Sequence, residues 1–259
     1  MTYMRLKTDL SENSFNNRYN YNPEIMELHL NYADILDKTL LHQRIEQLQA
    51  SGIDVYLHHP MTLPNGEMLD IMALEDEKYI AYLDNIQTMV ETCKIYGIKC
   101  IVHAHYANTE SSNHLSLEKT LEMRDKISDI LSYGREYLLW EDTIEGLFSY
   151  DNPYLIEYLI KPLNLPLCQD ISHSFIALKG DNEKLVNVTE AVKDHSQYFH
   201  VVDSMGETHD GLILGEGKIN WKELKPYLED KPFIFEIGLT APYHDCSPMI
   251  ESVNYFNSI

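Results

Sequence analysis

Ile98-Lys-Cys-Ile-Val-His103, a helical pattern from Ser116 to Leu131, and Tyr137-Leu-Leu-Trp-Glu141 make up the passage that decides the fold. Two short apolar runs flank an amphipathic segment, and each run is packed almost continuously with branched or aromatic residues. Parallel strands covered on both faces read this way. The same alternation extends outward in both directions. Runs at Met4–Asp9, Ile25–Leu30, Asp54–His58, Leu165–Asp170, Tyr198–Asp203 and Phe233–Ile237 predict six further strands. Helical patterns cover Lys38–Ala50, Pro153–Leu163, Asn182–His195, Trp221–Leu228 and Met249–Phe256. In the segment before Gly97, Tyr79, Leu83, Ile86, Val90 and Cys93 fall on one helical stripe. The Asn-rich stretch Ser11–Asn22 reads as loop. Eight strands alternating with helices predict an α/β protein, a (β/α)8 barrel forming one domain over residues 1–259. An open doubly wound sheet lacks support, because neither a Gly-x-Gly-x-x-Gly turn nor a phosphate-binding Gly-Lys-Ser/Thr loop occurs.

Forty-one acidic against 20 basic residues give a formal charge of -21, and 44% of the chain is hydrophobic. Such a surface repels polyanions unless its few cations are gathered in one place. No apolar run approaches the roughly 18 residues of a membrane span, and the first ten residues lack a signal-peptide core. The four cysteines, Cys93, Cys100, Cys168 and Cys246, form no CxxC pair, which fits a reducing, cytoplasmic setting.

The chemistry gathers at the strand ends. His29, His58, His103, Glu141, Asp170, His173, His200, Asp203 and Glu236 lie at or just beyond the carboxyl ends of predicted strands, where such a barrel builds its active site. His29 and His105 read as structural, and His58 and His59 are adjacent, so at most one of them enters the mouth. Glu141, Asp170 and Glu236 each end an apolar run. A partly buried carboxylate without a cation is costly, and few cationic side chains stand nearby in sequence, so the three together point to a metal ion. Gly215-Glu216-Gly217 reads as a structural turn, and Cys168 and Trp140 as core. Tyr106, Phe148, Phe175 and Tyr243 fall in mouth loops, where they are placed to stack on a sugar ring or act as lids.

In order and spacing, His58-His59-Pro60, Ile101-Val102-His103, Glu141-Asp142-Thr143, Asp170-Ile171-Ser172-His173, His200-Val201-Val202-Asp203, Gly215-Glu216-Gly217 and Phe235-Glu236-Ile237 resemble the xylose isomerase-like TIM barrels. That superfamily includes sugar isomerases and epimerases, dehydratases and endonuclease IV. The resemblance implies that Glu141, Asp170, His200 and Glu236 hold one divalent metal, commonly manganese, cobalt or magnesium, with zinc also compatible. It implies that His173, His103 and His58 contact substrate. Glu141 and Glu236 become the pair that removes and returns a proton through an enediolate. His58 and His103 also match additional zinc ligands of endonuclease IV. The loop before Gly215 departs from that pattern, since His209-Asp210-Gly211-Leu212-Ile213-Leu214 lacks its second histidine.

The expected mouth loops contain only Lys179 and Lys218 and no arginine. Phosphate contacts need several cations, so the loops disfavour nucleic acid and favour a small uncharged sugar or polyol. The reading is a metal-dependent sugar isomerase or epimerase. Its alternatives are an endonuclease IV-like zinc phosphodiesterase acting on abasic DNA and a non-catalytic sugar- or metal-binding barrel. A homo-oligomer is compatible with all three.

Overall fold

The computed structural model describes residues 3–105 and 115–259. Eight strands, β1 (Arg5–Thr8), β2 (Ile25–His29), β3 (Asp54–His58), β4 (Lys99–His103), β5 (Leu138–Glu141), β6 (Leu167–Asp170), β7 (Ser196–Val201) and β8 (Phe233–Phe235), pair in parallel and in sequence order. The pairing Leu6–Phe235 joins β8 back to β1 and closes the barrel. The predicted (β/α)8 architecture is therefore the observed one. Around it run α1 (Glu12–Tyr19), α2 (Tyr32–Leu36), α3 (Thr39–Ala50), α4 (Asp76–Tyr96), α5 (Leu117–Gly134), α6 (Lys161–Leu163), α7 (Ile171–Ala177), α8 (Asn182–Val192), α9 (Trp221–Leu228) and α10 (Ser247–Ser258). No helix of the described residues is long and apolar enough to cross a membrane.

One expectation fails at the first crossover. Ser11–Asn22 is not loop but carries α1. Its asparagines are poor helix formers, yet Phe15 and Arg18 are buried on one side, and tertiary packing overrides propensity. Arg18 donates to the carbonyls of Lys7 and Tyr243, each at 3.3 Å, and to that of His244. It thereby ties α1 to β1 and to the loop after β8.

Alternation along the strands places the site. Ile25, Ile101, Leu139, Cys168, Tyr198 and Ile234 form one buried apolar cluster, with Tyr56 packed against it. Their chain neighbours, such as Met26, Val102, Trp140, Phe199 and Phe235, belong instead to the clusters between sheet and helices. The small cluster thus fills the barrel interior, and Cys168 and Trp140 are core. Successive side chains on a strand alternate faces. The next inward position on seven strands is therefore Glu27, His58, His103, Glu141, Asp170, His200 and Glu236. On β1, Leu6 packs toward the helices and Lys7 turns inward to the same layer. An apolar plug with a ring of ionisable groups directly above it follows from a period of two.

Candidate metal centre and active site

Strand register brings the ligand candidates together. His103 pairs with Glu141 across β4 and β5, and Asp170 pairs with His200 across β6 and β7. Ligand atoms of Glu141, Asp170, His200 and Glu236 all lie within 4.8 Å of one another. His200 Nδ1 stands 3.1 Å from Glu141 Oε1 and 2.7 Å from Glu236 Oε2. Asp170 splits its two oxygens. Oδ1 accepts the His173 backbone N–H at 2.8 Å, capping α7, while the buried Oδ2 receives no hydrogen bond. An anionic oxygen left without a donor at zero exposure is expensive, and it faces His200 at 3.8 Å. Three carboxylates and one imidazole nitrogen, with that oxygen open, fit a divalent ion of the manganese, cobalt or magnesium kind.

His58 and His103 approach the other side of Glu141. Their Nε2 atoms lie 3.2 and 3.0 Å from Glu141 Oε2, and His58, Glu141 and His200 form a second group able to hold an ion. Of the adjacent pair, His58 enters the mouth. His59 instead accepts the His103 backbone N–H through Nε2 at 2.8 Å. His105 accepts the Phe148 backbone N–H at 3.0 Å and holds a loop, and His29 packs its ring 4.9 Å from that of His58. His173 Nδ1 donates to the Asp142 carbonyl at 2.8 Å, which aims its other nitrogen away from the backbone. His209 comes to 4.9 Å from the His173 ring, so the loop before Gly215 does deliver a histidine to the mouth, whereas Asp210 accepts the Met205 backbone N–H.

The charges interlock. Burial pushes the Glu141 carboxyl up, but the imidazoles of His103 and His200 outweigh it and hold it well below the usual range. Burial likewise raises Glu236, and His200 with Lys7 reverses that effect. His200 is pulled down by burial and then driven well above its ordinary value by Cys168, Glu141, Glu236 and Glu27. For His173, Asp170 and Glu141 overcome burial and raise it. Burial drives Asp142 up to about 8.

Several sequence expectations are corrected here. Asp203 is no ligand: its carboxylate accepts from the N–H groups of Ser204, Gly215 and Ile219 and from Trp221 Nε1, four donors that fix the β7–α9 loop. The Gly215–Gly217 turn packs around it. Gly215 has φ +91°, and a Cβ at Gly217 would sit 2.2 Å from Asp203 Oδ1. Phe148 and Phe175 are fully buried and offer no face to a ligand, Tyr243 is exposed, and Tyr106 lies outside the described residues. The carboxylates also have a cation. Lys7 Nζ pairs with Glu236 and lies 3.4 Å from Glu27. Neither Lys7 nor Glu27 was expected, because each stands inside a strand rather than at its end. The usable signal was a charged residue enclosed by apolar ones, Ile25-Met-Glu27-Leu-His29.

Above this layer opens a cavity of about 320 Å³, lined by His58, His103, Glu141, His173, His209 and Glu236 on its polar side. Met61, Met68 and Ile144 line it as well. A closed eight-stranded parallel barrel with a convergent acid and imidazole cluster at the carboxyl ends of its strands defines a class, and comparison places the chain within it. Residues 24–251 match the xylose isomerase-like TIM barrel family, and this chain belongs to that family. It is 26% identical over 193 residues to the uncharacterized protein MJ1614 of Methanocaldococcus jannaschii, covering 71% of this chain and 70% of that one. A D-tagatose 3-epimerase-like protein superposes with a TM-score of 0.72 at 16% identity, covering 98% of each chain. A Thermus thermophilus protein, TTHB071, soaked with zinc chloride, gives 0.71 at 16% identity, covering 98% of this chain and 96% of that one.

Proposed function

We propose that this protein is a divalent-metal-dependent isomerase or epimerase of a small uncharged sugar or polyol. The observation that carries the reading is the convergence of Glu141, Asp170, His200 and Glu236 within 4.8 Å at the base of an open cavity. The D-tagatose 3-epimerase-like protein, of the same fold, gives the reading its substrate class. The four side chains would hold the ion, which when bound supplies Lewis acidity to a carbonyl and its neighbouring hydroxyl.

The protein's own groups do the rest. Glu141 ends β5 and Glu236 follows β8, three strands apart around the barrel, and both line the cavity. Both are held ionised, as a proton acceptor must be. One takes a proton from carbon, and the other, first protonated from solvent at the mouth, returns that solvent proton. His173, fixed by the Asp142 carbonyl, presents its Nε2 to a substrate hydroxyl. Among the described residues no lysine or arginine lines this cavity, and the charge of Lys7 is engaged by Glu27 and Glu236, which favours an uncharged ligand.

The test is solvent deuterium exchange into neutral ketoses by protein loaded with manganese or cobalt. Metal-dependent exchange supports the reading, and none across a ketose panel with a fully loaded protein defeats it. His58 and His103 against Glu141 Oε2 favour a second reading, an endonuclease IV-like zinc phosphodiesterase. Close to three zinc ions per chain and nicking of abasic DNA would establish that instead.

A further inference from the structure

We propose that Glu27 is a positioning residue that orients His200 toward the metal, with Lys7 as its counter-charge. The inference rests on the metal reading above and goes beyond its four ligands. His200 uses both ring nitrogens: Nδ1 faces Glu141 and Glu236, while Nε2 donates to Glu27 Oε2 at 2.9 Å. A histidine binds metal through one nitrogen, and the partner of the other sets which one it is. Glu27 holds the proton on Nε2 and leaves Nδ1 directed at the three carboxylates.

The Glu27 side chain is fully buried, and so is His200. Directly beneath them the barrel is filled by apolar residues such as Ile25 and Tyr198. Packing alone would be better served by another apolar residue, because a buried ion pair seldom outperforms one in stability. Charge at this position therefore calls for a role in orientation. Lys7 keeps that charge tolerable. Its Nζ lies 3.4 Å from Glu27 Oε1, and it also pairs with Glu236, so one cation bridges an outer carboxylate and a ligand carboxylate. With its hydrogen-bonding oxygen given to His200 and the other facing Lys7, Glu27 has no oxygen left for the ion itself.

The test measures cobalt(II) affinity and its visible absorption spectrum in full-length wild type, Glu27→Gln, Glu27→Leu and Lys7→Met/Glu27→Leu, with metal-free melting curves confirming the fold. Losing an outer partner of a ligating histidine typically costs about 10–100-fold in metal affinity. Glu27→Leu and the double variant should both show that loss and an altered spectrum. Glu27→Gln, whose amide oxygen still accepts from Nε2, should stay within a few-fold of wild type. Recovery of wild-type affinity in the double variant would mean that the pair acts through charge alone and would overturn the proposal. So would Glu27→Leu binding as wild type does. A nitrogen-15 NMR measurement on zinc-loaded wild type needs no variant: a proton on His200 Nε2 supports the proposal, and one on Nδ1 refutes it. If wild type binds neither cobalt nor zinc, the metal reading fails and takes this inference with it. If it binds while the variants are unaffected, only the inference falls.

Discussion

The Asp142 carboxylate accepts the backbone N–H of Asp170 at 2.8 Å through Oδ1, while Oδ2 accepts the Ser174 hydroxyl at 2.9 Å. One side chain beyond β5 thus sets the end of β6 and the start of α7, and with them the orientation of a candidate ligand. It does so from a fully buried position that drives its pKa up to about 8.

A pH prediction follows for the metal-free protein. Unfolded Asp142 ionises near 3.8, and the folded group only near 8. Its contribution to stability is complete below the lower value and is lost as pH rises toward the upper one. Asp142→Asn is isosteric and cannot ionise, so it should gain on wild type by up to about 1.4 kcal/mol per pH unit between roughly pH 5 and 7, levelling off above 8. Urea denaturation of both proteins in chelator from pH 5 to 9 measures the gap. Parallel profiles would show that Asp142 titrates normally.

Replacing either Glu141 or Glu236 with Gln should leave the fold intact and remove deuterium exchange, by at least about 100-fold. The two variants should differ in metal binding. Glu141 contacts four histidines, whereas Glu236 is restrained by Lys7 and His200, so cobalt titration beside the exchange assay separates ligand loss from base loss.

Gly217→Ala should destabilise the protein by about 1–3 kcal/mol. The new methyl would meet Asp203 Oδ1 at 2.2 Å and the Ser204 carbonyl at 2.5 Å, so the carboxylate must leave its four donors. Chemical denaturation reads the loss. Wild-type stability would mean that the turn has room to shift.

Divalent metal should raise the melting temperature. An ion at 100 times its dissociation constant stabilises the folded state by about 2.7 kcal/mol, and chelator should return the midpoint to its metal-free value. Melting curves with manganese, cobalt, magnesium and zinc rank the ions. Asp170→Asn, which replaces an oxygen that has no donor of its own, should abolish the shift more than it lowers the metal-free midpoint.

The barrel was readable because strand and helix periods differ, and each apolar run is long enough to declare its period. Glu141, Asp170 and Glu236 announced themselves by ending such runs, and His200 by following Tyr198-Phe199. Lys7 and Glu27 did not, since a charge inside a strand shows its face only once the phase of alternation is known. Ile25 supplies that phase, but its inward direction becomes visible only with the closed barrel. Asp203 misled because a carboxylate collecting loop N–H groups has the same strand-end position as a ligand. Phe148 and Phe175 read as loop aromatics because burial of a mouth loop depends on what folds over it. Helix α1 was hidden by asparagines whose weak propensity is offset by the buried Phe15 and Arg18.

The apolar plug beneath the acid ring, where the Tyr56 and Tyr198 rings meet at 4.3 Å, makes the site a blind chamber. Among the described residues that side is closed, so on the proposed reading ligand, water and hydrons come and go from above. A hydron lifted from carbon has no drain below and stays beside its acceptor until the visitor leaves. Turnover in heavy water should therefore put deuterium into the product, while substrate that reverts before release regains its original protium, and that retained fraction records how long the ligand stays seated relative to the chemistry.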